Sequence, residues 1–224
     1  MHIVDGALTL PVIAVGSAIT VAGIGLGLRQ MPPEKIPAAG VLSATFFCAS
    51  LVHMSIGPSS VHLIVNGLCG IVLGWAAFPA LFVALLLQAI FFGFGGLTVI
   101  GVNTANIAVP AVIVYYLCRR GVVRSSPQVA AIWGAVGGAL AIALTTGCVA
   151  LALSFSGDEF IPAAKLVFFA HIPVMAIEAV LTAAAVYLIR RVKPELLDAF
   201  SAASPDLQPV LAAAPEASLR STQS

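Results

Sequence analysis

The feature that most constrains this chain is a series of apolar runs, each near the length of a bilayer crossing and each closed by glycine, proline or arginine. A helix rises 1.5 Å per residue, so about 20 mostly apolar residues span the hydrocarbon. The first run, Ala7 to Leu28, stops at Arg29. The Met31-Pro32-Pro33-Glu34-Lys35-Ile36-Pro37 stretch behind it is unsuited to helix interior and reads as a stiff polar connection. A second run, about Ala38 to Val52, precedes a break at Gly57-Pro58-Ser59-Ser60. A third, His62 to Ala77, and a fourth, Phe78 to Phe94, are parted by a tight turn near Trp75 and Pro79. Gly93 to Asn106 reads as irregular, and a fifth run, Ile107 to Cys118, ends at Arg119-Arg120. The sixth covers Val129 to Phe155 and the seventh Ala163 to Ile189. Only 8% of the 224 residues are charged and 60% are hydrophobic, against about 25% charged in a soluble domain. The expected fold is therefore an all-α polytopic membrane protein with about seven transmembrane helices. A single transmembrane domain should cover residues 1–200, and the Ala/Ser/Pro-rich residues 201–224, with little to bury, read as a disordered cytoplasmic tail.

An odd number of spans puts the termini on opposite sides, and charge decides which. With the N-terminus outside, Arg29, Lys35, Arg119, Arg120, Arg124, Arg190, Arg191 and Lys193 all fall inside, leaving Lys165 outside. That is a strong positive-inside bias. No basic cluster suits a phosphate backbone, which sets nucleic acid aside. No GxxxxGK[ST] loop is present to hold ATP, so any ATP-driven work needs another chain. Cys48, Cys69, Cys118 and Cys148 stand alone in apolar segments without zinc-site spacing, and read as small packing residues.

Polar residues inside apolar runs need a partner or a cavity. They are His62, Gln88, Asn103, Thr104, Asn106, His171 and Glu178. His171 and Glu178 lie two helical turns apart on one face and read either as a structural pair or as part of a site. Irregular backbone at membrane depth survives only where it is buried or lines a cavity, so Gly95-Gly96-Leu97-Thr98 to Asn106 is a candidate pocket wall. Ala14, Ala18 and Ala22 repeat every four residues on the first span, a stripe that either packs a neighbouring helix or docks a partner. Gly134, Gly137, Gly138 and Gly147 on the sixth span carry the same two readings.

The terminus is the chemically distinctive stretch. Met1-His2-Ile3-Val4-Asp5-Gly6 has no basic residue of the kind that opens a secretory signal. It offers an α-amine, a backbone amide and an imidazole on consecutive residues. These three nitrogens close five- and six-membered chelate rings on one ion and leave one in-plane position for a donor from elsewhere. Four planar nitrogens suit Ni(II), Cu(II) and low-spin Co(II). In an arbitrary chain a histidine at position two is a solvated terminal residue, and both readings stand on the terminus alone.

Four ordered motifs carry a family resemblance. Met1-His2-Ile3-Val4-Asp5-Gly6-Ala7-Leu8 resembles the MHIxxGxL start of the CbiM/NikM membrane proteins, the substrate-binding subunits of energy-coupling-factor transporters for cobalt and nickel. Gly57-Pro58-Ser59-Ser60-Val61-His62-Leu63 looks like the family's GGTSxHL, and Gly95 to Asn103 like GGLTxLGxN. His171-Ile172-Pro173 with Glu178 is similar to HIP…EG, with Ala179 where glycine is usual. The resemblance implies Met1, His2 and His62 as metal ligands, Co(II) ahead of Ni(II) as cargo, and no cofactor of its own. Ser60, Thr98, Asn103, Asn106, His171 and Glu178 become supporting or pocket-lining residues, and His53, close in sequence to His62, reads either as a further pocket residue or as a helix-end residue. The Ala14, Ala18 and Ala22 face becomes a contact for a transmembrane coupling subunit, with two cytoplasmic ATPase subunits beneath and a small accessory membrane subunit also admitted. The implied location is the bacterial inner membrane. Two other classes compete. An ion-coupled secondary metal carrier would want midplane carboxylates and internal repeats, and Glu178 is the sole such acid. A membrane enzyme using His171 and Glu178 would lack a nucleophile.

Overall fold

The computed structural model describes residues 2–51, 53–56 and 59–198. Met1, the Gly57-Pro58 pair and the expected tail at 201–224 lie outside the described residues. Helices α1 (Leu10–Arg29) and α2 (Ile36–Ala49) are followed by a two-stranded antiparallel hairpin, β1 (His53–Ile56) and β2 (Ser59–His62). Then come α3 (Asn66–Leu73), α4 (Ala77–Phe92), α5 (Ile100–Arg124), α6 (Pro127–Ser154), α7 (Ile161–Ala170), α8 (Ile172–Val192) and the short α9 (Glu195–Asp198). Among the described residues, five stretches are long and apolar enough to cross a membrane when Asn66–Phe92 is taken as one run, and Ile36–Ala49 is a shorter apolar helix.

Burial shows how these elements are layered. Every residue of α3 is buried, as is most of the N-terminal half of α5. On α1 only Gly16, Thr20, Gly23 and Gly27 are buried, and on α8 only Val174, Glu178, Thr182 and Val186. Each set is a single stripe at helical spacing, so α1 and α8 flank a core of α3 and α5 and turn apolar side chains such as Val21, Leu28, Val180 and Leu188 outward. Lipid, not water, is the medium that suits such a surface.

The run from Asn66 to Phe92 folds back on itself. Along α3, Asn66 donates to the Ile107 carbonyl, Gly70 sits on Ala111 and Gly74 on Tyr115, so α3 runs parallel with α5. Along α4, Phe78 lies against Gly23 near the far end of α1, while Gln88 returns to His2 at the near end of α5. The chain therefore reverses at Gly74, whose φ of +58° is disfavoured for other residues. The third and fourth runs of the sequence correspond to these two legs, although α3 begins only at Asn66.

Two expected boundaries are corrected. The stretch read as irregular through Asn106 is irregular only to Val99, and α5 begins at Ile100. Asn103 and Thr104 look loop-like because such side chains compete for local backbone. Here Asn103 bonds across to Ile3 and leaves the helix ladder intact. The seventh run is not one helix but α7 and α8, broken at His171. Pro173 at the start of α8 has no N–H to give back to the preceding turn.

One end of the bundle gathers the N-terminal segment, the hairpin and Gly93–Val99. The other gathers the arginines. There Arg119, packed over the Tyr115 ring, donates to the carbonyls of Ile71 and Leu197 and pins α9 beneath α3. Arg190 donates to the Ser125 carbonyl at the α5–α6 turn. Three of the four α6 glycines are packing residues: Gly134 and Gly138 meet α8 at Thr182 and Glu178, and Gly137 meets Ile71 and Val114, whereas a Cβ on Gly147 would meet nothing.

The closest helix contact gives a test. A Cβ on Gly70 would lie 2.0 Å from the Ala111 carbonyl oxygen, whereas one on Gly25 would meet nothing. Gly70→Ala is expected to force α3 from α5 and cost about 1–3 kcal/mol, the usual range for overpacking. Gly25→Ala should leave the detergent-solubilised thermal midpoint unchanged or slightly raised. Equal midpoints for both variants would contradict the packing described.

Candidate metal site

The terminal segment enters the bundle instead of leaving it. His2 and Ile3 are buried while Val4, Asp5 and Gly6 are exposed, with the chain turning at Gly6 toward α1. Buried backbone needs partners, and Asn103 on α5 supplies them. Its Oδ1 accepts from the Ile3 N–H at 2.9 Å and its Nδ2 donates to the Ile3 carbonyl at 3.0 Å. One primary amide thus holds both polar groups of one residue, as a neighbouring strand would. Gly95 packs against Asn103 and the His2 side chain, closing the loop over the segment. Thr98 donates to the Asp5 carboxylate at the rim.

His62 comes to the same place from the hairpin. It ends β2, where its Cα pairs with that of His53, and its ring stacks on His2 with centroids 4.7 Å apart and planes 27° apart. Both imidazoles are almost fully buried. An ion with metal–nitrogen bonds of about 2 Å holds cis nitrogens about 3 Å apart, so the pair is within the reach of one ion. Burial above all holds the His62 imidazolium well below the usual histidine range, which keeps the ring in its neutral, ligating form. Among the described residues no group of three His, Cys, Asp or Glu side chains comes together. A metal at the His2–His62 pair would therefore draw its remaining donors from groups other than these side chains.

Glu178 sets the position of the segment carrying His62. Its Oε1 accepts from the amides of Ile64 and Val65 at 2.5 and 2.8 Å. Val65 is the one described non-glycine residue with positive φ, at 55°, a conformation a β-branched residue adopts only under constraint. The carboxylate pays for that bend by taking two amides that no helix or strand accepts. His171 and Glu178 are both fully buried, but each turns to backbone and not to the other. His171 Nδ1 donates to the Val167 carbonyl at 2.6 Å.

Of the residues expected from the sequence, His2, His62, Asn103 and Glu178 are linked into this end of the bundle, with Thr98 at its rim. Asn106 is not: it lines an outer groove of about 500 Å³ with Thr9, Val15 and Phe155, between α1, α5 and α6. Ser60 lies in β2 opposite Ser55, and His53 in β1. Two residues carry more than the sequence indicated. Gln88, fully buried on α4, bonds His2 Nε2 through its Oε1 at 2.9 Å, and its Nε2 donates to Ser50 Oγ and to the Phe47 carbonyl. Ser50 gave no signal, being one hydroxyl at the end of an apolar helix.

Known proteins bear on this arrangement. A solved structure titled a truncated transition metal transporter superposes with a TM-score of 0.67 at 28% identity, covering 85% of this chain and 99% of that one. A putative metal transport protein of Haemophilus influenzae is 37% identical over 203 residues, 88% of this chain and 97% of its own length. A cobalt transport protein of Sorangium cellulosum is 28% identical over 88% of this chain and 95% of its own. A fused nickel transport protein of Rhodobacter capsulatus is 38% identical over 131 residues, only 38% of its length. Fold and likeness together define a multi-pass membrane protein of cobalt or nickel transport. The chain belongs to the CbiM family, whose model, the cobalt uptake substrate-specific transmembrane region, matches residues 2–196.

The two clamps can be tested separately. Asn103→Leu strands the Ile3 amide and carbonyl, and each buried unpaired group costs about 1–3 kcal/mol. The terminal segment should then undock, read as loss of hydrogen-exchange protection at Ile3 with α5 still protected. Glu178→Ala should instead release the Ile64 and Val65 amides and lower global stability by a similar amount. Retained protection at these amides in the respective variants would contradict the assignments.

Proposed function

We propose that this chain is the substrate-binding membrane subunit of an ATP-driven energy-coupling-factor transporter, capturing Co(II), with Ni(II) as its nearest competitor. The observation that carries the reading is the stacked, buried His2–His62 pair beside a terminal backbone held by Asn103. The Met1 amine, the His2 amide nitrogen, which gives up its proton to solvent as the metal binds, the His2 imidazole and the His62 imidazole are the donors. Such a nitrogen set suits late divalent ions and offers little to Mg(II) or Ca(II), which take oxygen. His171 and Glu178 support the site from behind. The arginine end faces the cytoplasm of a bacterial inner membrane, in keeping with the positive-inside rule. Energy comes from two ATPase subunits through a transmembrane coupling subunit. That subunit docks on the face of α1 bearing Ala14, Ala18 and Ala22, which are exposed while the neighbouring Gly16, Thr20 and Gly23 pack inward.

His2→Ala and His62→Ala should each abolish metal retention by the purified protein without loss of expression or membrane insertion, as metal analysis would report. Undiminished metal in both would sink the site. Inserting Ala between Met1 and His2 should do the same by separating the amine from the His2 chelate, while a C-terminal tag is tolerated. Uptake of labelled Co(II) in cells should vanish when the ATPase subunits are omitted. Uptake that persists without them would favour an ion-coupled carrier.

A further inference from the structure

Gln88 does more than fill a polar gap between helices. The orientation of its amide is fixed by its surroundings. One terminus faces the Phe47 carbonyl at 3.3 Å and the Ser50 hydroxyl. A carbonyl accepts only. The Ser50 hydroxyl lies 2.8 Å from the Phe46 carbonyl and donates to it, so its oxygen accepts from Gln88. That terminus is therefore the NH2 group, and the terminus 2.9 Å from His2 Nε2 is the carbonyl oxygen. A carbonyl oxygen has no proton to give, so His2 Nε2 must carry one. The neutral imidazole then has its lone pair on Nδ1.

His62 is set the other way. Its Nδ1 lies 2.8 Å from the Leu63 carbonyl, which accepts only, so the proton sits on Nδ1 and the lone pair on Nε2. The two stacked rings thus present different nitrogens. The difference matters for ring size. The His2 amide nitrogen, Cα, Cβ, Cγ, Nδ1 and an ion make a six-membered ring, whereas closure through Nε2 would need a larger, strained one.

We propose that Gln88, held by Ser50 and the Phe47 carbonyl, is a positioning residue for the metal: it locks His2 as the Nε2–H tautomer, so that Nδ1 chelates together with the His2 amide while His62 adds Nε2. The proposal rests on the His2–His62 pair being the metal site. It makes Gln88 a selectivity element, because five- and six-membered nitrogen chelates enforce a planar geometry that Ni(II), Cu(II) and low-spin Co(II) accept and tetrahedral Zn(II) does not. A polar partner on the non-ligating nitrogen commonly changes metal affinity by about 10–100-fold.

The test begins with metal-free protein, so that it stands apart from metal binding. Histidine labelled with 15N is introduced, and the His2 and His62 signals are assigned by their loss in His2→Gln and His62→Gln. Their nitrogen shifts should report a protonated Nε2 on His2 and a protonated Nδ1 on His62. A proton on His2 Nδ1 in the wild type overturns the proposal, whether or not the variants fold. In Gln88→Met the His2 signals should move toward a tautomer mixture with His62 unchanged, and Ni(II) affinity should fall about 10–100-fold. Gln88→Glu, whose ionised carboxylate still accepts from His2 Nε2–H although it has no proton for the Phe47 carbonyl, should keep the His2 tautomer. Unaltered His2 tautomer and Ni(II) affinity in Gln88→Met would also overturn it. The expected tautomers in a wild-type protein that fails to bind Ni(II) would support the locking by Gln88 and count against the metal-site reading alone.

Discussion

The bidentate grip of Asn103 on Ile3 is the interaction on which the site depends. A chain terminus is ordinarily its least ordered part, with no side-chain packing on one flank and a strong preference for water. Here the preference is reversed because the amide of Asn103 replaces the water that Ile3 would lose, and because the Ile3 side chain is completely enclosed. Once Ile3 is fixed, His2 has little choice of direction. Its ring falls between Gln88, His62 and Phe94. A helix, the hairpin and the irregular Gly93–Val99 stretch therefore meet at a residue that the chain supplies before its first helix begins.

The membrane makes that arrangement possible and also limits it. A polar group in hydrocarbon is costly unless paired, so each polar residue in the apolar runs has to be accounted for by a partner or a cavity. Asn66 bonds Ile107 and Thr145, Thr20 bonds the Gly101 carbonyl, and Gln88 bonds three groups at once. The terminal segment, the hairpin and the irregular Gly93–Val99 stretch together enclose His2 and His62. The small residues serve the same end by letting α1, α3 and α5 approach closely enough for short side chains to reach neighbouring carbonyls.

Much of this was legible in the sequence because hydropathy and helix length are read on the same scale as the bilayer. The apolar runs, the polar connection after Arg29 and the chemical oddity of Met1-His2 all follow from composition and spacing. The family motifs then drew attention to His62, Asn103 and Glu178. What escaped was tertiary. Asn103, Thr104 and Asn106 look like loop residues to any local rule, and only the cross-bundle bond of Asn103 shows why the helix continues through them. A lone Gln in an apolar helix reads as glue until the residues at its two ends are known. The left-handed turn at Val65 leaves no mark at all, since valine is the wrong residue for it and Glu178, more than a hundred positions away, makes it stable.

Glu178 bears on how the cargo is handled. In a carrier driven by protons or sodium, an intramembrane carboxylate is expected to exchange its partner during the cycle. Here Oε1 is occupied by two main-chain amides that fix the turn between His62 and α3. Displacing it would release that turn and with it the hairpin end that holds His62, so the acid works as a structural hinge pin. Movement of His62 would in turn be felt along α3, a rigid buried leg whose far end meets Arg119 through Ile71. The His2–His62 end and the arginine end are thus joined by one short helix. That helix is the mechanical link along which the proposed coupling from the arginine end would act.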